Sequence, residues 1–183
     1  MAISDYLPGL HGYHVLALGT ATGMVLHTTF VASLIQFKTL PKQTFSQLQS
    51  KQFPIYFALS FGLTTFLTYS TYRLSHFTEP QGFLDTIAKN IATSTAKSND
   101  AWTVGIIAAG AVASLVNFAY VGPATRQAKI LREQIEKTGA DAPKDIVRRF
   151  GRLHGISSLL NLVVAGSLVA NCLWVGNKWS KYI

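Results

Sequence analysis

Charge is what this 183-residue chain has least of. Only 13% of its residues are Asp, Glu, Lys or Arg, where a soluble domain carries about 25%. Acidic residues are scarcest, 8 in all, and none falls within the long apolar runs. That absence removes paired-carboxylate chemistry from those runs, and with it the mid-membrane acid that ion-moving proteins often bury. A single cysteine, Cys172, excludes an intrachain disulfide and leaves the redox compartment unread. With two methionines, it offers soft metals few ligands. There is no G-x-S-x-G, no phosphate loop and no H-E-x-x-H. No Lys or Arg precedes the first apolar run, so it lacks the form of a signal peptide or an Arg-rich presequence and is expected to stay in the mature protein.

What the chain does have is apolar length. Hydrophobic residues make up 49% of it, gathered in four stretches over about 12–37, 53–74, 101–121 and 155–175. A helix needs about 20 such residues to cross the hydrocarbon core, and none of the four alternates polar with apolar as a barrel strand would. The expected fold is all-α: one polytopic membrane domain, a four-transmembrane-helix bundle with helical extensions on the cytosolic side. Pro54 is expected in the first turn of the second span, where its missing N–H costs nothing, and Pro123 is expected to end or kink the third. Tyr13, Tyr56, Tyr72, Trp102, Tyr120, Trp174 and Trp179 fall near the span ends, the depth amphipathic rings prefer.

The net charge of +8 does not indicate nucleic acid, because the basic residues flank the spans and no nucleic-acid motif accompanies them. They fit lipid headgroups instead, with Lys38, Lys42, Lys51, Arg148, Arg149 and Arg152 closest to the expected membrane surface. Eleven of the 16 Lys and Arg lie in the first and third connections. The positive-inside rule puts those connections in the cytosol or matrix and both termini opposite. The third connection, 122–154, reads as a basic helical segment with i, i+4 pairs Arg132–Glu136 and Glu133–Lys137 and a stop at Gly139. In the second, 76–100, Phe83, Leu84, Ile87, Ala88 and Ile91 share one face, which predicts a short amphipathic helix on the membrane surface.

Polar and small residues inside the spans are the candidate sites. Gly19 and Gly23 form G-x-x-x-G, and Gly105 and Ala109 continue a like pattern from Ala101; such faces let helices approach closely, within the chain or against a partner. His27 lies mid-span, 40° from Gly23 at 100° per residue, and is read either as hydrogen-bonded to a neighbouring helix or as a ligand or proton group. His11 and His14, at i, i+3, are two ligands where zinc wants three or four, and read better as an interfacial pair than as a metal site. His154, Ser157, Ser158 and Asn161 form a polar stripe on the fourth span, with Asn117 as the expected partner for Asn161. The stripe reads as an interhelical clasp or as a small polar site bounded by Gly122, Pro123, Thr125 and His154 at the cytosolic ends of spans three and four.

Three elements carry a resemblance. Phe45, Leu48, Phe53, Pro54, Tyr56 and Phe57, within Thr29 to Phe57, Asn117 with Gly122, Pro123 and Thr125, and Phe150 with HGISSLLNL from His154 to Leu162 together resemble the transmembrane protein 205 family. The resemblance implies four spans with both termini on one side, secretory-pathway membranes, and a link to transport or trafficking without an established reaction. From the residues, the expected function is non-enzymatic: an accessory or scaffold subunit working through helix–helix contacts, with no cofactor or metal. Its expected partners are membrane lipids and a membrane protein or a second copy. The alternative is a transporter or efflux and trafficking factor for a small molecule. The expected location is the endoplasmic reticulum or secretory pathway, with a mitochondrial membrane as the alternative.

Overall fold

The computed structural model describes residues 9–75 and 99–179. The expected surface helix within 76–100 lies outside the described residues, as do three of the 16 Lys and Arg, namely Lys89, Lys97 and Lys181. Among the described residues all regular structure is helical: α1 (Leu10–Leu26), α2 (Ser33–Thr39), α3 (Lys42–Leu74), α4 (Asn99–Val116), α5 (Gly122–Lys137) and α6 (Lys144–Trp179). A π-helical segment, His27–Ala32, joins α1 to α2, and another, Asn117–Val121, joins α4 to α5. The apolar length of 12–37 and 101–121 predicted α-helical spans, and these widened turns within them are a difference. A π-turn fits one extra residue into a helix and is stabilised by local contacts that the pattern does not carry.

The helices overrun the apolar stretches. α3 begins at Lys42, so Pro54 lies inside it rather than in its first turn. The exposed ring of Pro54 removes one rung of the ladder without ending the helix. Pro123 does not end the third span either, because it falls in the first turn of α5, directly after the π-turn, where its N–H is not required. α5 ends as its sequence predicts: Gly139 takes φ +80°, open to glycine at little cost, and its N–H bonds the Glu136 carbonyl. α6 runs without a break from the basic connection through the whole fourth apolar stretch.

Cross-helix contacts set the directions. His14 meets Ser70 and Gln36 meets Gln49, so α1 and α2 run antiparallel to α3. Ser60 meets Ser114 and Ser46 meets Glu133, so α3 runs antiparallel to α4 and α5. Asn117 meets Ser157 on α6, and Asn171 of α6 meets His14, completing an up-down bundle. Its core holds Leu18, Ala21, Val25, Leu67, Ile107, Val164 and Leu168. Alongside them the interior buries His14, Ser60, Thr64, Ser70, Thr71, Ser114, Asn117 and Asn171. Large apolar side chains such as Leu16, Phe30, Leu34, Ile55, Leu59, Val112, Leu159 and Leu173 face outward. Polar groups inside and broad hydrocarbon outside invert the soluble pattern and suit a protein surrounded by lipid.

Three helices, Leu10–Thr39, Ala101–Lys137 and Lys144–Lys178, are long and apolar enough to cross a membrane. α3, expected as the second of four spans, is long enough but less apolar, because Ser46, Gln49, Ser60, Thr64, Ser70 and Thr71 occupy its inner face.

Candidate functional site

Polar side chains from several helices meet where the two π-turns face α3 and α6. Asn161 of α6 is its hub: its Oδ1 accepts from the Tyr56 hydroxyl of α3 at 2.6 Å, and its Nδ2 donates to Thr29 Oγ1 in the first π-turn at 2.8 Å. One helical turn away Asn117, the first residue of the second π-turn, donates from Nδ2 to the Ser157 carbonyl at 3.1 Å. Asn117 is only 1% exposed, and its Oδ1 has no hydrogen-bond partner. The ring of Phe57 closes this region from α3, lying edge to face with Tyr56. A Cβ on Gly122 would meet Asn117 O at 2.6 Å and the Phe57 ring at 3.1 Å, so this position needs glycine for close approach. The amides and hydroxyls among these groups can each give or accept a hydrogen bond, and in surroundings without water each needs a partner.

The clasp predicted between Asn117 and Asn161 therefore divides. Asn161 ties α6 to the first π-turn and to α3, while Asn117 ties the second π-turn to α6 backbone. Ser157 contributes its carbonyl. Ser158 is exposed and its hydroxyl returns to the His154 carbonyl at 2.9 Å. His154 is also exposed, its ring stacked on Phe150 at 5.8 Å. Thr125 donates to the Val121 carbonyl at 2.7 Å, and Pro123 is exposed. The bundle thus brings Asn117, Gly122, Ser157 and Asn161 together and leaves His154 and Ser158 outside. Sequence reasoning missed Tyr56 and Thr29 as partners of Asn161, although the aromatic cluster Phe53–Tyr56–Phe57 was in view.

The other candidates lie on outer faces. Gly19, Gly23 and His27 are exposed, and a Cβ on either glycine would meet nothing within 4 Å. The inward face of α1 is His14, Ala17, Leu18, Ala21 and Val25, and His27 stands 220° round from His14 at 100° per residue. Ala109 is exposed, and a Cβ on Gly105 would also meet open space. The close approach of the third span comes one residue later: a Cβ on Gly110 would run into the Ser167 side chain, its Cβ 2.9 Å away.

At the end of the bundle where α1 begins, His14 is buried while its expected companion His11 is exposed. His14 Nδ1 lies 2.7 Å from Ser70 Oγ and its Nε2 lies 3.0 Å from Asn171 Oδ1. Asn171 Nδ2 donates to Thr71 Oγ1 at 2.9 Å. At the opposite end, beyond the apolar stretch, α5 docks on α3. Lys129 Nζ donates to the Ser46 carbonyl at 2.6 Å and to Ser50 Oγ at 3.0 Å, and Ser46 donates to Glu133. Burial pushes the Lys129 ammonium below the usual lysine range, and Glu133 opposes that shift. Glu136 takes Arg132 at 2.7 Å and Lys42 at 3.3 Å, and these bonds hold its carboxyl below the usual carboxylate range. Arg132–Glu136 is the predicted pair; Glu133 turns to Ser46 rather than to Lys137. Lys38, Lys51, Arg148, Arg149 and Arg152 are exposed around the same end.

Fold and interior together define a helical membrane protein whose spans are tied by buried amides and hydroxyls. Residues 16–134, well over half the chain, match the model of DUF4149, a domain of unknown function, and the chain belongs to that family. This corrects the resemblance to the transmembrane protein 205 family, which is a different family. A curated relative is the xanthocillin biosynthesis cluster protein D of Aspergillus fumigatus, 34% identical over 80 residues. That match covers 43% of this chain and 51% of the relative, so the chain spans about half the length of the curated relative it matches. No solved structure matches.

Proposed function

We propose that this chain is a four-span membrane protein that acts as an accessory or scaffold subunit, docking on a membrane partner or a second copy through the outer face of α1. The observation that carries this reading is the line Gly19, Gly23, His27. The three residues are spaced i, i+4, all are exposed, and His27 has no hydrogen-bond partner among the described residues. A histidine in hydrocarbon without a partner is costly, and glycines beside it let another helix come close enough to supply one. The span added to the three apolar helices is α3, second in chain order. It lies antiparallel to α1 and α2 from Ser70 to Gln49, it must therefore cover the same depth, and its hydroxyls are turned inward. The role is non-enzymatic and needs no cofactor. The basic end carrying Lys38, Lys42, Lys51, Arg148, Arg149 and Arg152 lies against lipid headgroups in the cytosol, the termini lie opposite, and the host membrane belongs to the endoplasmic reticulum or secretory pathway.

The test is purification in mild detergent. The chain should run as a stoichiometric complex or homo-oligomer, and Gly23→Val should dissociate it without unfolding the bundle. A wild-type monomer at every detergent level overturns the reading.

The alternative is a carrier for a small molecule. Its supporting observation is Asn117 Oδ1, a buried acceptor with no partner. Cysteine placed at Asn117 in a Cys172→Ala background would react with membrane-impermeant thiol reagents if a path from water reaches it, and protection by a transported solute would identify the cargo. An inert thiol there removes this alternative.

A further inference from the structure

A histidine buried among helices is commonly locked in one neutral form, with a fixed donor on one side and a fixed acceptor on the other. His14 is 1% exposed, yet only one of its sides is fixed. Asn171 spends its amide nitrogen on Thr71 Oγ1, so its Oδ1 accepts from His14 Nε2 at 3.0 Å whatever the charge of the ring. The other side faces a hydroxyl, which can point either way. Ser70 Oγ is 2.7 Å from His14 Nδ1, and the Leu67 carbonyl is 3.2 Å from the same oxygen. When Nδ1 is bare, Ser70 donates to it. When Nδ1 carries a proton, Ser70 accepts that N–H and donates its own hydrogen to Leu67. Both states leave the ring nitrogens fully bonded.

We propose that His14 is a proton-binding site, held between α1, α3 and α6, that takes up and releases one proton by rotation of the Ser70 hydroxyl with no heavy atom displaced. The proton comes from water at the end of the bundle where α1 begins, adds to the Nδ1 lone pair, and breaks no bond. The charged groups around this end are all basic among the described side chains. His11 is one turn earlier on α1, and Arg73 is one turn beyond Ser70 on α3; both are exposed. On α6, Lys178 sits 5.6 Å over the Trp174 ring, which is edge-on to His14 at 6.2 Å. α4 brings no charged side chain to this end among those described. With no carboxylate among the described side chains around the ring, the imidazolium depends on Asn171 Oδ1 and Ser70 Oγ as acceptors, and this makes the two residues determinants of proton affinity.

The test uses the full chain in micelles with nitrogen-15 in its histidines, following the ring nitrogens from pH 8 to 4.5, with His14→Gln identifying the His14 signals. Wild type should show both His14 nitrogens converting together to the protonated form, reversibly and with the helical signal unchanged. Ser70→Ala strips the cation of one acceptor and should move the midpoint down by about one pH unit or more, a tenfold or greater loss of proton affinity. Asn171→Asp places a carboxylate on Nε2 and should move it up by a similar amount, which keeps the test decisive if Ser70→Ala fails to fold. A His14 ring that stays neutral in the folded chain down to pH 4.5, or midpoints unmoved in both variants, overturns the proposal.

Discussion

Asn161 shows how much one side chain can carry in a dry interior. Its amide satisfies Tyr56 and Thr29 on two other helices at once. Asn161→Ala therefore removes two bonds and leaves the buried Tyr56 hydroxyl and the half-buried Thr29 hydroxyl to find new partners. It should destabilise the bundle by about 1–3 kcal/mol, read as a lower midpoint in thermal unfolding of the detergent-solubilised chain. Tyr56→Phe, which takes away a single donor, should cost less than half as much. That Asn161 and Asn117 needed partners was legible in the sequence, because an amide in hydrocarbon must be bonded. Which partners they found was not. The choice depends on the rotation of each helix about its own axis, and the π-turns at Thr29 and Asn117 reset that rotation by one residue without any mark in the apolar pattern. His14 was misjudged for a related reason: a histidine at the edge of a span reads as interfacial until the facing residues, Ser70 and Asn171, are known.

Glycines divide by what their helices meet. Gly110→Val should force α4 away from Ser167 and Val164, with a loss of about 1–3 kcal/mol from overpacking, measured as loss of the folded monomer in fluorescence-detected size exclusion. Gly19→Val and Gly23→Val add bulk to open space and should change monomer stability by less than ~0.5 kcal/mol, while weakening any assembly built on α1. G-x-x-x-G predicted a close-packing face, yet within the chain nothing packs on Gly19 or Gly23, and the close approach falls at Gly110 instead. The signal lies in one helix, and the surface it meets lies elsewhere. α5 offers a further check on docking outside the membrane. Glu133→Gln should loosen its hold on Ser46 and raise amide hydrogen exchange along α5, leaving α4 protected.

Across the whole molecule, helical class and lipid surroundings were readable from the lack of charge and the length of the apolar runs. The count of spans was harder. α3 buries its polar face and so dilutes the hydropathy by which a crossing is recognised, although its outward side is Ile55, Leu59 and Tyr69. Single cysteines introduced at Thr44 and at Arg73 in a Cys172→Ala background should be labelled from opposite sides of sealed vesicles; labelling from one side would remove α3 from the membrane. The serines and threonines of α3 also suggest an order of assembly. Thr64, Thr68 and Ser50 already donate to carbonyls one turn back on their own helix, so those protons are satisfied before α3 meets any other helix. The amides have no such private arrangement. Asn161 and Asn171 reside on α6, and Asn117 waits for a carbonyl of α6. The helix that follows the others in the chain thus acts as the keystone: the earlier helices can already meet through His14–Ser70 and Ser60–Ser114, but Thr29, Tyr56, Thr71 and Asn117 wait for it to supply their partners.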